Sequence, residues 1–423
     1  MVSAIVERKD RHRGKFIRTW LSVCIVLTPV IDALSVDKTT SGLLSLQLIK
    51  GILLAIGILL ALGLNSTQLL SAFNTPAKII TFYMVYILAS STVIFRTYPL
   101  ISLGHMSYFL FAYVVSVTLA RTNMIDITWI KRRAVIVILT TGIIQVYYYF
   151  VQGGTSAEYG TTYVLGGSRG AVAGISEMLT MASTVFVYDV LHRGRIVIFL
   201  TATLLSICTL RRTSFLATLV AFSAAVLVDF RDRRVLACQP IVSVTVLILT
   251  VAVFLNLTPW GAAMRERVTD VGGSGRVTLI SLGWNMFCNS SVPQKMLGEP
   301  GLFYDKTESL FGVAMGTHLE FLDILLNYGM FGLAFLCSFY VVLLRQCARF
   351  YSNREEFYSL LCASIVLFII TLLSGGGTFV PKNIMFCVIA GCSYGILAQT
   401  SALIPQVKIG SLSVLDVRQK RIY

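Results

Sequence analysis

Of 423 residues, 56% are hydrophobic and only 13% are charged, with a mean hydropathy of +0.78. So large an apolar share excludes a water-soluble globular chain, whose surface could not accommodate it. The net charge of +15 comes from Lys and Arg spread over many short segments, which argues against a nucleic-acid partner.

Twelve apolar runs of about 20 residues, the length that crosses the hydrocarbon core as a helix, can be marked along the chain. They start near Ile17, Gly42, Ala77, Tyr98, Ala134, Ala171, Arg195, Thr213, Cys238, His318, Phe357 and Val380. The first follows ERKDRHRGKFIR, a basic front like that of a signal peptide, but no small-residue cleavage site closes it, so it reads as a retained helix. With a cytoplasmic N-terminus the Lys and Arg of the connecting segments fall mostly on the cytoplasmic side, which supports twelve spans with both ends cytoplasmic. The runs are too long and uniformly apolar for alternating barrel strands. The expected fold is an all-α polytopic integral membrane protein of about 12 transmembrane helices. Of its nine cysteines only Cys288 falls outside, so no disulfide framework is expected. No Cys or His pair has metal-ligand spacing, and neither metal nor cofactor is expected.

The cytoplasmic connections, such as LHRGR at 191–195 and DFRDRRVLAC at 229–238, read as topology anchors. Outside, residues 257–317 form one long loop between the ninth and tenth spans, with balanced charges and several aromatic residues. Loops of this length are functional or disordered, and the aromatic content argues against disorder. Stretches 279–288 and 306–316 have the pattern of interfacial amphipathic helices. The expected organisation is a nine-helix region over 1–256, the loop over 257–317 and a three-helix region over 318–423. A second outside loop, near 152–170, ends in GGSRG with Arg169. No internal repeat is evident, which weakens a transporter built from duplicated halves.

Candidate chemistry gathers on the outside. In TLRRTSFLATLVAF, residues 209–222, Arg211 and Arg212 share a turn between two spans. They are either interface anchors or an anion clamp, since guanidinium pairs bidentately with phosphate oxygens. His318 is the one histidine of four in an outside segment. Read as a helix, His318, Leu322, Leu325, Gly329 and Gly332 share a face that ends in two glycines suited to close packing. Glu320, Asp323 and Asn327 form a separate polar stripe, the pattern of either a water-filled cavity or an amphipathic interface. A neutral imidazole could accept a hydroxyl proton. Glu177 and Lys50 are ionisable residues within spans and candidates by default, whereas His105 reads as a helix-packing residue.

The spacing of His318, Leu322, Leu325, Gly329 and Gly332 after a large outside loop resembles the signature of the O-antigen polymerase and ligase superfamily. RRTSFLA resembles that family's arginine turn, SGRVTLISLGW (274–284) its loop arginine motif, and MLGEPG (296–301) the Gly-rich stretch that often follows. One departure is Leu319, where the family usually has Asn. The resemblance implies glycosyl transfer from an undecaprenyl diphosphate-linked glycan to a glycan acceptor at the periplasmic face of the inner membrane. It implies His318 as the base, Arg212 and Arg276 with Arg211 on the departing diphosphate, and no metal. Arg169, Glu177, Glu299, Tyr304, Glu320 and Asp323 are further candidates for binding substrate. Polymerase is favoured over the ligase that joins polymer to lipid A core. A flippase or other transporter is the alternative class, and a chain-length regulator and a separate flippase are the expected partners.

Overall fold

A computed structural model of the chain describes residues 2–34, 49, 51–59, 66–94, 99–151, 169–232, 238–269, 275–352, 354–374, 378–380 and 383–403. Among these residues every regular element is a helix. Lys50 and the segment 152–168 lie outside the described residues, as does the side chain of Arg169, whose backbone opens the helix Arg169–Ser183.

Among the described residues four helices are individually long and apolar enough to cross a membrane: Ser102–Arg121, Arg212–Phe230, Glu320–Arg349 and Glu355–Leu373. Ile241–Leu257 and Pro259–Glu266 meet the same condition only as a pair bent by 90°. Thr258 makes that corner. Its hydroxyl donates to the Phe254 carbonyl (2.7 Å) and accepts from the Gly261 N–H (3.0 Å), ending one helix and capping the next, while Pro259 cannot continue the first. Val197–Cys208 is apolar but only 12 residues long, about 18 Å at 1.5 Å per residue and short of the hydrocarbon thickness. These features are those of a polytopic helical membrane protein.

The hairpin of Glu320–Arg349 and Glu355–Ser374 fixes the two ends of the bundle. Glu320 and the Thr378 segment share one end, because the Thr378 N–H donates to the Glu320 carboxylate. Glu355 lies at the other, where it pairs with Lys131 and Arg193. Arg212–Asp232 runs in the same sense as Glu320–Arg349: Asp229, near its finish, meets Tyr358 and His192 at the Glu355 end, so Arg212 opens it at the Glu320 end. Between the ends, Leu100–Arg121 and Ile384–Leu403 pack closely, with Gly391 facing the Tyr113 carbonyl so nearly that a Cβ would stand 2.7 Å from it. Phe379 anchors an aromatic core, its ring centroid 5.3 Å from Phe109 and 5.0 Å from Phe339.

Among its described residues, the loop between residues 257 and 317 is helical in four places: Pro259–Thr269, Arg276–Asn289, Val292–Leu297 and Leu302–Phe311. Ser291 and Gln294 form a capping box at the third, with Pro293 in its first turn. The second and fourth overlap the two stretches read as amphipathic.

Candidate functional site

The tenth apolar run does not enter the bundle as one continuous helix. Its regular structure starts at Glu320 rather than His318, and at Gly329 the backbone leaves the helical region (φ 63°, ψ −165°). The result is a short segment, Glu320 to Tyr328, set before a straight run from Met330 to Arg349 that is about 30 Å long. Gly329 therefore breaks the helix instead of merely admitting a neighbour.

MLGEPG fills the break. A Cβ at Gly329 would stand 2.3 Å from the Met296 carbonyl oxygen, and one at Gly298 2.3 Å from the Tyr328 nitrogen. Both residues have positive φ, so backbone meets backbone at a point where only glycine fits without strain. The last carbonyls before the break find partners outside the helix. That of Leu326 accepts from the Glu299 N–H (2.8 Å) and that of Tyr328 from the Tyr86 hydroxyl (2.8 Å). Glu299 turns its side chain away, accepting from the Gln294 amide at 2.7 Å.

Above the break, the short segment forms one wall of a cavity of about 510 Å³. Glu320, Asp323, Asn327 and Tyr328 line it from the segment, Gly301 and Tyr304 from the loop, and Phe379 from the bend at 378–380. The polar stripe thus faces a cavity, resolving the choice between cavity and interface. Each acid is held by backbone. Glu320, 6% exposed, accepts from the Thr378 N–H at 2.5 Å, and Thr378 itself is fixed through hydroxyl contacts to Thr371 and Tyr340 (both 3.1 Å). Asp323 accepts from the Thr317 N–H at 2.7 Å. Asn327 donates to the Asp323 carbonyl and accepts from the Gly301 N–H. The loop is thereby bonded to the cavity wall at Gly301 as well as at Glu299.

Tyr304 lies in the same cavity, its hydroxyl 3.3 Å from where a Gly316 Cβ would stand and the Asp323 carboxylate at 3.1 Å from that point. Although 39% of the residue remains exposed, loss of hydration at the hydroxyl, followed by the Asp323 charge, pushes the phenol up to about 12.

His318 does not share the cavity wall. It is exposed, in the left-handed backbone region (φ 61°), one step after Thr317, whose hydroxyl bonds to both the N–H and the carbonyl of Leu319. The face expected to join His318 to Gly329 is consequently absent, because the helix begins two residues later. His318 sits at the rim, beside the residue that holds Asp323. Arg211 lies 3.7 Å from the buried Glu177 carboxylate, so these two sequence candidates form a pair. Arg212 opens its helix at the cavity end of the bundle, and the Arg276 guanidinium donates to the Leu373 carbonyl (3.3 Å), also at that end. Glu320, Asp323 and Tyr304 come together, while Arg211 with Glu177, Arg276 and Glu299 each make contacts of their own around them.

Other residues that line the cavity are not evident as such from the sequence, His105 and Ser91 among them. His105 lines the cavity from Leu100–Arg121, next to Ser102. Ser91 does so from a π-helical turn, Ser90–Ile94, a distortion that recurs at functional sites. No protein-family model matches the chain, and comparison with curated proteins finds no match.

Proposed function

We propose that this protein polymerises undecaprenyl diphosphate-linked repeat units into a surface polysaccharide at the periplasmic face of the bacterial inner membrane. In this reading the chain crosses the membrane twelve times with cytoplasmic termini, and it is similar to the O-antigen polymerase and ligase superfamily in the motifs named above. The observation that carries the proposal is that Arg211, Arg212, Arg276 and His318 lie at the same end of the bundle as a large cavity, roofed by the loop that supplies Arg276.

The chemistry is one displacement. The acceptor hydroxyl oxygen attacks the anomeric carbon of the donor, the bond from that carbon to the diphosphate oxygen breaks, and the proton passes to His318. Arg212 and Arg276, with Arg211, stabilise the negative charge that leaves on the diphosphate. Configuration at the anomeric carbon inverts.

The test is a gel of the host's lipopolysaccharide and lipid-linked glycans after deletion of the gene, with rescue by wild type, His318→Ala, Arg212→Ala and Arg276→Ala. Loss of long chains, with one repeat unit on the core, is the expected result, and none of the three variants should restore them. Bare core with long polymer left on the lipid carrier would instead mean a ligase. Full rescue by His318→Ala would remove the base, and full rescue by both arginine variants would remove the clamp.

A further inference from the structure

We infer that Arg18 and Arg133, set on the ring of Trp129, form a site for the phosphate of an anionic phospholipid in the leaflet at the Glu355 end of the bundle. The site lies apart from the cavity and stands whether or not the chain transfers sugars.

The paired charges of that end leave these two arginines out. Lys131 turns to Asp189 and Glu355. Trp129 and Arg133, two residues to either side of it on the helix Ile127–Val151, share the opposite face. The Trp129 ring is 3% exposed and so held in place, and two guanidinium groups lie over it: Arg133 at 5.4 Å from the centroid and Arg18, from the helix Val2–Leu34, at 5.7 Å. The ring attracts each cation but leaves its N–H donors unused. Among the described residues neither guanidinium meets a carboxylate. Asp126, the acid nearest along the Trp129 helix, accepts from the Trp129 backbone N–H (2.7 Å) and caps that helix. The Arg133 Nε–H and the Trp129 indole N–H are both buried, and no described residue accepts from them. Fixed positive charge with unmatched donors calls for an anion rich in acceptor oxygens, and guanidinium matches phosphate in fork geometry. Stacking on a buried ring has already ordered both side chains, which lowers the entropy lost on binding.

A lipid headgroup and free phosphate share this chemistry, and the surface beside the arginines favours the lipid. Large apolar side chains stay exposed on both helices: Phe16, Val23 and Leu27 on one face of the first, Leu139, Ile143 and Val146 on one face of the second. From Arg18 to Leu27 is about 14 Å along the axis, close to half a hydrocarbon core. An acyl chain lies along such a band while its headgroup stays level with the guanidinium groups. Lys15 and Arg132, exposed beside them, add charge of the same sign.

The full-length protein in neutral maltoside micelles is titrated with phosphatidylglycerol, phosphatidylcholine or inorganic phosphate, with bound lipid counted by native mass spectrometry and melting followed in parallel. Phosphatidylglycerol should bind and raise the melting temperature, as a ligand of the folded state does, and the other two should do neither at the same concentrations. Arg18→Gln and Arg133→Gln should each weaken the first phosphatidylglycerol about fivefold, the worth of one cation at anionic headgroups. Trp129→Phe should weaken it roughly twofold, since a phenyl ring holds guanidinium less well than an indole. Arg345→Gln removes an exposed charge at the same end and should change binding by less than about twofold, because distant charge is screened. Arg18 is exposed, so its variant decides the matter if Arg133→Gln lowers the melting temperature of the lipid-free protein. Equal protection by inorganic phosphate would mean a free-anion site. Equal binding of the two lipids, or an equal loss in Arg345→Gln, would mean general attraction to a basic surface. Each of these results overturns the proposal, and none bears on glycosyl transfer.

Discussion

The two ends of the bundle hold their charges in different ways. At the end marked by Glu355, charges answer one another. Lys131 pairs with both Asp189 and Glu355, and Arg193 with the same two carboxylates at 2.5 and 3.3 Å. Beside them His192 lies 3.3 Å from Asp229, which also accepts from the Tyr358 hydroxyl, and the Tyr188 ring stacks on the imidazole at 4.1 Å. At the cavity end Arg211 also faces Glu177, at 3.7 Å, but the acids that line the cavity, Glu320 and Asp323, accept from backbone N–H groups, and Arg276 donates to a backbone carbonyl. A carboxylate paired with two cations has little left to offer a ligand. A backbone N–H holds a carboxylate in place without supplying a full positive charge. The first arrangement ties four helices together; the second prepares a surface for an incoming molecule.

The sharpest way to break the comparison is to disturb the cavity end without touching a charge. Gly329→Ala puts a Cβ into the backbone of MLGEPG at a positive φ, and backbone cannot rotate away as a side chain would. The expected cost is more than about 4 kcal/mol. It would be seen as a large fall in melting temperature together with loss of long-chain polysaccharide. Gly104→Ala is the control, because nothing lies within 4 Å of its Cβ and its backbone is helical. If Gly329→Ala melts with Gly104→Ala and the wild type, the docked break is not what shapes the cavity.

The opposite end should respond in stability alone. Lys131→Met leaves two carboxylates to share Arg193, whose own side chain is 45% exposed and therefore partly screened. A loss of about 2 kcal/mol is expected, below the usual cost of breaking a fully buried pair. Long-chain polysaccharide made per folded molecule should be unchanged. A variant that melts normally yet loses long-chain polysaccharide would show that this network reports to the cavity, and the contrast between the ends would fail.

What could be read from the sequence follows the range of the interactions concerned. The stripe of Glu320, Asp323 and Asn327 was legible because i, i+3 and i+4 spacing is local, and it does face a cavity. The start of that helix was not, since Leu319 has no capping side chain and the role falls to contacts of Thr317. Gly329 was recognised as special but for the wrong reason: two glycines three apart fit helix packing as well as a break, and only the distant MLGEPG decides between them. His105 needed knowledge of which face of its helix meets the void. Arg193 has the look of a topology anchor because its partner Glu355 lies far away in sequence.

The smallest effect concerns Tyr304, and its sign separates a buried donor from a surface phenol. The ordinary phenol titrates near 10, and here the value is raised to about 12. Folding therefore favours the protonated form. The stability linked to it is fully present below pH 10 and is lost as the pH rises through about 12. At neutral pH, Tyr304→Phe should melt close to the wild type, because both rings are then uncharged. Above pH 10 the wild type alone must either hold a proton that solution would remove or place a phenolate beside Asp323, so its melting temperature should fall relative to the variant. The shift will be modest, as partial exposure screens the neighbouring charge. Melting curves of the two proteins at intervals from pH 8 to pH 11.5 measure it. A constant gap across the series would place the phenol in free solvent and remove Tyr304 from the cavity wall, while leaving the carboxylates of the short segment in place.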